Sequence, residues 1–292
     1  MKTHFSAFHP SVTFCYYMVS LALLMLFMHP FYLTVAFCIL IIIHFVHDQF
    51  ESLRRWLFLM IISGLLIFLM NPLFNERGRN VLFEIFGHRV TAEAAIYGGM
   101  SAISILGVMM IFVSYNEIMT TNKLLFLFSK IIPQFAILLM LTLRFIPLMR
   151  RRIEDISAVQ KSKGIYINHG PWRDRLKKGM LYIQVLLTYS LEEAIQTADS
   201  MKARGYGKPN RSSYEHFSLK KSDIFAFIYI FSLVFSLLYG RFLGYGFLTI
   251  YPRMESIQLV PIELIQIFIY ALLLCFPLFV ELGGVIRWRL LK

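Results

Sequence analysis

Two short stretches of this sequence end a predicted helix in the same way, with a small residue, a cation and a glycine. They are Ser162-Lys163-Gly164 and Ala203-Arg204-Gly205. A glycine just past a helix permits the left-handed cap, and a cation in the last turn complements the negative end of the helix dipole. Taken singly, each stretch is an ordinary helix end. Taken together, they suit the presentation of two cations, at a fixed spacing, to acidic groups of a partner.

Apolar periodicities predict the helices that lead to these two ends. Before the first end, apolar residues recur at three- or four-residue spacing, at Met149, Ile153, Ile156 and Val159. Before the second end, one helical face is formed by Leu187, Leu191, Ala194, Ile195, Ala198 and Met201. The cations at the two ends differ in chemistry. Arg204 offers a planar fork to a carboxylate, whereas Lys163 offers only a point charge.

The rest of the chain is strongly apolar. Of its 292 residues, 58% are apolar and 16% are charged, whereas a soluble domain carries about 25% charged residues. The apolar residues form long runs, each near the length that crosses a hydrocarbon core of about 30 Å. The predicted spans are residues 12–28, 31–47, 56–71, 96–114, 222–240 and 261–282.

A further apolar run, residues 124–149, is interrupted by polar residues and prolines. The interruptions are Lys130, Pro133, Gln134, Arg144 and Pro147. A charge at the bilayer centre costs at least about 2.5–3.5 kcal/mol on insertion scales. We therefore expect residues 124–149 to lie at the cytoplasmic interface or beneath the bundle, without crossing fully.

The distribution of basic residues predicts the orientation of the chain. Residues 150–221 hold 15 of the 29 Lys and Arg residues against 7 Asp and Glu residues, and such a segment belongs in the cytoplasm. Arg54 and Arg55, between the second and third spans, indicate the same side. We predict an all-α polytopic membrane protein with about six transmembrane helices, additional cytoplasmic helices and both termini in the cytoplasm. The predicted division is 1–123, 124–221 and 222–292, the middle part being cytoplasmic or interfacial.

Motifs for several other chemistries do not occur in the sequence. There is no G-x-x-x-x-G-K-[ST] phosphate-binding loop, no H-E-x-x-H and no G-x-S-x-G. His44, His47 and Asp48 have a spacing that suits either a metal site or, more simply, an interfacial helix end. The predicted spans are nearly free of charge away from their ends, unlike those of a proton-coupled carrier. We expect no catalytic residue, no metal site and no cofactor.

Several stretches of the chain resemble one transporter family. They are FHPSVTF at 8–14, the Asn-Pro segment and the run that follows it at 71–99, and LRFIPLM at 143–149. The family carries a pair of Ala-Arg-Gly motifs, of which Ala203-Arg204-Gly205 is an intact copy. Ser162-Lys163-Gly164 stands where the other copy is expected. The chain thus resembles the transmembrane T component of energy-coupling factor (ECF) transporters, the group that includes cobalt-transport permeases.

This resemblance implies a role for the two cationic helix ends. In the family, each motif ends a cytosolic coupling helix that docks in a groove on one of two ATP-binding cassette ATPase subunits. ATP-driven closure moves these helices and reorients a separate small membrane subunit that holds a vitamin or a transition metal. The six motif residues would then form an ATPase-coupling site on the cytosolic side. The chain itself would lie in the bacterial cell membrane. The chain itself would be no enzyme and would bind neither nucleotide nor nucleic acid.

Two other classes of protein are open alternatives at this point. A stand-alone membrane carrier or permease would need polar residues at the membrane midplane, where the predicted spans offer few. A membrane-embedded enzyme would need a cluster at one membrane face, for which only His44, His47 and Asp48 qualify.

Small residues in the fourth span also have two interpretations. They are Ala95, Gly98, Gly99, Ala102 and Gly107. Such residues admit a close neighbouring helix, which would belong either to the substrate-binding partner or to this chain itself.

Overall fold

The chain is almost entirely helical. A computed structural model describes residues 4–48, 50–75, 78, 80–85, 88–129, 132–166, 170–207, 217–250 and 260–290. Within these ranges the α-helices are α1 (Pro10–Leu26), α2 (Pro30–Asp48), α3 (Glu51–Phe74), α4 (Ala92–Ile118), α5 (Thr121–Ser129), α6 (Pro133–Ser162), α7 (Trp172–Ala203), α8 (Lys221–Phe242), α9 (Pro261–Leu274) and α10 (Phe276–Leu290). The predicted all-α fold is confirmed.

Five of the described helices are long and apolar enough to cross a membrane, namely α2, α3, α4, α6 and α8. A sixth span results if α9 and α10, which meet at a bend of 49°, are counted together. The remaining predicted span corresponds to α1, which is apolar but only 17 residues long. The prediction of a polytopic membrane protein with about six transmembrane helices is confirmed.

Two helices cover the apolar run at 124–149, which the sequence predicted to be helical without crossing fully. Helix α5 ends at Ser129, Pro133 begins α6, and α6 continues through Arg144 and Pro147 to Ser162. A proline in the first turn costs no hydrogen bond, and an interior proline removes only one. Lys130 lies outside the described residues. Helix α6 has the length and composition of a membrane span. The expectation that this segment does not cross the membrane fully therefore stays a prediction.

A short β-hairpin between α3 and α4 is not apparent from the sequence. Strand β1 (Val81–Ile85) pairs antiparallel with strand β2 (His88–Thr91). Thr91 then caps α4, its hydroxyl accepting a hydrogen bond from the Ala94 amide at 3.3 Å. Strands of five and four residues are too short to give a reliable alternating pattern.

The chain divides into two compact units. The first unit comprises Met1–Leu124 together with Phe217–Lys292, and the second unit is Leu125–His216. The second unit carries the described helices that end in the two cationic motifs. The cytoplasmic or interfacial placement predicted for 124–221 stays a prediction.

Hydrogen bonds from a buried and a half-buried tyrosine join helices in the core of the first unit. The Tyr16 hydroxyl donates to the Leu274 carbonyl at 2.9 Å, which joins α1 to α9. The Tyr229 hydroxyl donates to the Leu272 carbonyl at 2.9 Å, which joins α8 to α9. Because an unpaired hydroxyl is costly in apolar surroundings, each bond fixes a specific helix pair.

Candidate functional site

The first cationic helix end forms a complete C-terminal cap. Lys163 is the capping residue, and Gly164 follows with a φ of +76°. The Gly164 amide donates to the Lys161 carbonyl at 3.0 Å, and the Ile165 amide donates to the Gln160 carbonyl at 2.9 Å. These two bonds define a Schellman motif, which requires the left-handed conformation that glycine adopts without steric cost.

The second cationic helix end has the same construction. Arg204 is the capping residue, and Gly205 follows with a φ of +82°. The Gly205 amide donates to the Lys202 carbonyl at 2.9 Å, and the Tyr206 amide donates to the Met201 carbonyl at 2.9 Å. The sequence similarity between the two ends therefore corresponds to an identical hydrogen-bond pattern.

A third Schellman cap, at the end of α8, shows that the pattern needs no cation at the capping position. Leu243 is the capping residue there, and Gly244 has a φ of +95°. The Gly244 amide donates to the Arg241 carbonyl at 3.1 Å, and the Tyr245 amide donates to the Gly240 carbonyl at 3.1 Å. The capping cation is thus not required by the fold of the helix end.

The helix dipole is already complemented by a different residue in all three caps. Lys161, Lys202 and Arg241 lie in the last turns of α6, α7 and α8. Lys163 and Arg204 are additional cations, and both are exposed. No ion pair or hydrogen bond to another described residue engages either side chain. They are therefore available to an acidic partner.

The packing of α6 against α7 separates the two cationic caps. The Ser190 hydroxyl oxygen lies 3.1 Å from the Met149 sulfur, and the Tyr182 hydroxyl donates to the Ile165 carbonyl at 3.3 Å. The two helices therefore run in opposite directions where they touch. The first cap lies beside Tyr182, and α7 rises about 32 Å from there to Ala203 at roughly 1.5 Å per residue.

We expect the substitution Tyr182→Phe to loosen the first cap alone. It removes the hydrogen bond to the Ile165 carbonyl, which has a net worth of ~1 kcal/mol. Hydrogen exchange of the amides at 163–165 should accelerate about fivefold, while exchange at 204–206 stays unchanged. Thr188→Val, which removes an exposed hydroxyl of α7, is the matched control. Unchanged exchange at 163–165 would show that Tyr182 does not brace this cap.

The apolar face predicted for α7 points away from its contact with α6. Leu187, Leu191 and Ile195 are 57%, 65% and 63% exposed. The contact with α6 instead uses the buried Tyr182 and the half-buried Ser190. The predicted periodicity is therefore correct in its spacing, and it describes a face that the chain itself leaves exposed.

Small residues of α4 pack inside this chain. A Cβ atom at Gly98 would lie 3.1 Å from the Phe68 carbonyl oxygen, and one at Gly107 would lie 2.9 Å from a methyl carbon of Leu24. Ala102 is also buried. These residues let α4 approach α3 and α1 closely. Of the two interpretations, internal packing applies to these three positions.

His44 is part of a helix–helix contact. Its side chain is buried, and its Nε2 atom lies 3.0 Å from the Met110 carbonyl oxygen. Since a carbonyl only accepts, Nε2 carries the proton in this arrangement and is not free to bind a metal. The Asp48 side chain lies outside the described part of the structure. Within that part, no group of three His, Cys, Asp or Glu residues is placed to hold a metal ion.

The family assignment rests on a sequence match that covers most of the chain and includes both caps. Residues 4–214 match the CbiQ family, described as cobalt transport protein. The chain belongs to this family. The match includes the N-terminal segment, α6, α7 and both cationic caps, and it ends before α8. The predicted resemblance to the T component of ECF transporters is confirmed at the level of the family.

Curated relatives within this group carry the name energy-coupling factor transporter transmembrane protein EcfT. The protein from Listeria innocua is 29% identical over 168 residues, covering 51% of this chain and 63% of the relative. The Staphylococcus aureus protein is 25% identical over 191 residues, covering 62% and 71%. The Lactobacillus helveticus protein is 31% identical over 120 residues, covering 41% and 43%. This chain thus spans less than two thirds of the length of two of these relatives.

Tyrosines on α7 contribute to the site, although they were not predicted from the sequence. Tyr182 binds the first cap, and the Arg152 guanidinium lies 5.4 Å from the centre of the Tyr189 ring. Tyr182 and Tyr189 are seven residues apart, a spacing that returns to the same helical face. This interval is the signal from which the contact with α6 was predictable.

Proposed function

We propose that this chain is the transmembrane coupling subunit of an ECF-type ABC importer. It transmits ATP-driven motion from two ATPase subunits to a small substrate-binding membrane subunit, which takes up a vitamin or a transition metal. The observation that carries this proposal is the pair of identical caps, each with an exposed cation that its helix end does not require. Membership of the family and the names of its relatives support it.

The spacing of the caps favours two separate acidic docking sites. A separation on the order of 30 Å is too large for one side-chain-sized groove to contact both cations. Two ATPase subunits, each binding one cap, satisfy this geometry. Arg204 can bind a carboxylate through two parallel hydrogen bonds, whereas Lys163 contributes a point charge. The second cap therefore forms the more geometrically specific contact.

The energy for transport comes from the partners in this proposal. The sequence contains no phosphate-binding loop of the Walker type, so nucleotide binding is assigned to the ATPase subunits. This chain is then a non-catalytic subunit that needs no cofactor of its own. Its function is mechanical, because it connects cytoplasmic docking sites to helices in the cell membrane.

The exposed apolar face of α7 is suited to the substrate-binding membrane subunit. Three of its leucine and isoleucine side chains are each more than half exposed, and together they form a stripe along one side of the helix. A membrane protein partner offers a matching apolar surface, and burying one such side chain is worth about 1.5–3 kcal/mol. The cations and the apolar stripe would thus serve different partners.

We expect Leu191→Asp to release the small membrane subunit while both ATPase subunits stay bound. The substitution places a charge in the centre of the stripe, which removes at least the burial of one leucine, equivalent to about tenfold in affinity. Quantitative co-purification from detergent measures both contacts at once. Gln196→Glu adds a negative charge at an exposed position on the opposite, polar side of α7 and should change neither. Loss of the ATPase subunits with Leu191→Asp would contradict this division of the surface.

The orientation that we propose places both termini and residue 170 in the cytoplasm and residue 80 outside. Residue 80 precedes the β-hairpin, and residue 170 precedes α7. Topology reporters fused at the two positions should give opposite signals, cytoplasmic at 170 and external at 80. An external signal at 170 would overturn the orientation, because it would require α6 to cross the membrane.

Purification of the full chain with its native partners tests the proposed function. We expect a tagged chain, extracted in mild detergent, to retain two ATPase chains and one small membrane protein. The carrier alternative makes a different prediction, since such a protein would transport without ATPases. Uptake of radiolabelled cobalt or of a set of radiolabelled vitamins by the purified chain alone in liposomes would therefore favour the carrier.

A further inference from the structure

The segment His4–His9, which precedes α1, is anchored by buried side chains and hydrogen bonds. It forms a 3₁₀ turn at His4–Ala7 just before α1. The Phe5 side chain is fully buried and packs edge-on against Tyr16 and Phe276, with ring centres 5.5 and 5.8 Å away. Aromatic contacts of this geometry add to the energy of burial. The segment is thus fixed to α1 and α10 within the first unit.

The same segment is bound where the chain leaves the first unit. Lys123, one residue before the boundary at Leu124, is buried. Its ammonium donates to the Ser6 carbonyl at 2.8 Å and to the Ile118 carbonyl, at the end of α4, at 3.0 Å. Burial lowers the pKa of the Lys123 ammonium, and the two carbonyl oxygens favour its charged form.

The segment is also bound where the chain returns to the first unit. Asp223, in the first turn of α8, is buried and accepts a hydrogen bond from the His9 amide at 3.1 Å. The same carboxylate accepts from the Lys220 amide at 2.8 Å and so caps α8. The His9 ring lies edge-on to Phe217, the first residue after the boundary, at 6.4 Å.

We propose that residues 4–9 are an anchor that holds together the two connections to the second unit, namely the stretch around Lys123 and the stretch from Phe217 to Asp223. Through this anchor, motion of the second unit passes into the membrane helices. Lys123 and Asp223 are positioning residues in this anchor. Its functional consequence rests on the proposed coupling role, whereas its mechanical basis does not. Without the anchor, the two connections would move separately, and the docking of partners would no longer drive the helices of the first unit.

Hydrogen exchange at both connections, measured after a substitution in only one of them, tests the anchor. In the full complex, we expect Lys123→Met to speed hydrogen exchange at 118–125 and also at 217–224, by about tenfold at both. Asp223→Asn should have the reciprocal effect, at both connections and at the His9 amide. Lys123→Arg retains the cationic donors and should restore slow exchange. Lys221→Met, at an exposed lysine of α8, is the matched control.

The outcomes distinguish the anchor from local packing and from the proposed function. Faster exchange confined to the connection that carries the substitution would overturn the anchor. If Lys123→Met fails to accumulate in the membrane, Lys123→Gln keeps one donor group and permits the same comparison. ATP-dependent uptake of radiolabelled cobalt or vitamins should fall at least about tenfold in the anchor variants, with both ATPase subunits still bound. Loss of the ATPase subunits would contradict the anchor, and their absence from the unsubstituted complex would instead refute the coupling role.

Discussion

Charge reversal at Arg204 is expected to abolish ATP-driven uptake while leaving the protein in the membrane. Arg204 is exposed and lies at the capping position, which Leu243 occupies in the equivalent cap of α8. The substitution Arg204→Glu should therefore preserve the helix end. It should cost the contact with an acidic ATPase groove at least about 2–5 kcal/mol, or about 30-fold or more in affinity. Uptake into intact cells and co-purification of the ATPases measure the two consequences.

Two further variants separate geometry from charge at the second cap. Arg204→Lys keeps the charge and loses the planar fork, so uptake should fall to an intermediate level. Arg204→Leu reproduces the uncharged capping residue of α8 and should retain membrane insertion while losing most of the uptake. Lys221→Glu reverses an exposed charge outside both caps and should have little effect. Normal uptake by Arg204→Glu would argue strongly against the docking role.

Charge reversal at Lys163 is expected to impair coupling as well, by a smaller factor. The first cap has the same hydrogen bonds as the second, so its cation should meet an equivalent acidic groove. A lysine provides one point charge without a bidentate geometry. We expect Lys163→Glu to lower ATP-driven uptake about tenfold, the factor that ~1.4 kcal/mol represents. The measurement is the rate of uptake at matched levels of membrane-inserted protein.

The converse substitution at the first cap provides a sharper comparison. Lys163→Arg restores the cation found in the second cap, and it should support uptake at least as well as the natural lysine. Lys161→Gln removes the neighbouring cation of the last helical turn and is the control for a general loss of positive charge. A fully silent Lys163→Glu would remove the basis for pairing the two caps, even if Arg204 proved essential.

The caps were predictable from the sequence because they depend on local rules. A glycine past the last helical turn and a cation near it are determined by backbone conformation and by the helix dipole. The structure adds that the capping cation is dispensable for the fold. That conclusion requires the comparison with Leu243 and Gly244, whose hydrogen bonds match those of both cationic caps.

Features that depend on distant contacts were not predictable in the same way. Lys123 binds the Ser6 carbonyl and Asp223 binds the His9 amide, across 117 and 214 positions of the sequence. Nothing local distinguishes these residues from other charged residues beside apolar helices.

Photocrosslinking from the two caps tests the central claim most directly. Tyr166, two residues after Gly164, and Tyr206, one residue after Gly205, are 46% and 48% exposed. A photoreactive phenylalanine analogue at either position therefore leaves both cations in place. We predict ATPase adducts from both positions in the assembled complex, and none from Tyr239, an exposed tyrosine of α8. The absence of ATPase adducts from both caps, in a complex that retains the ATPases, would contradict the account.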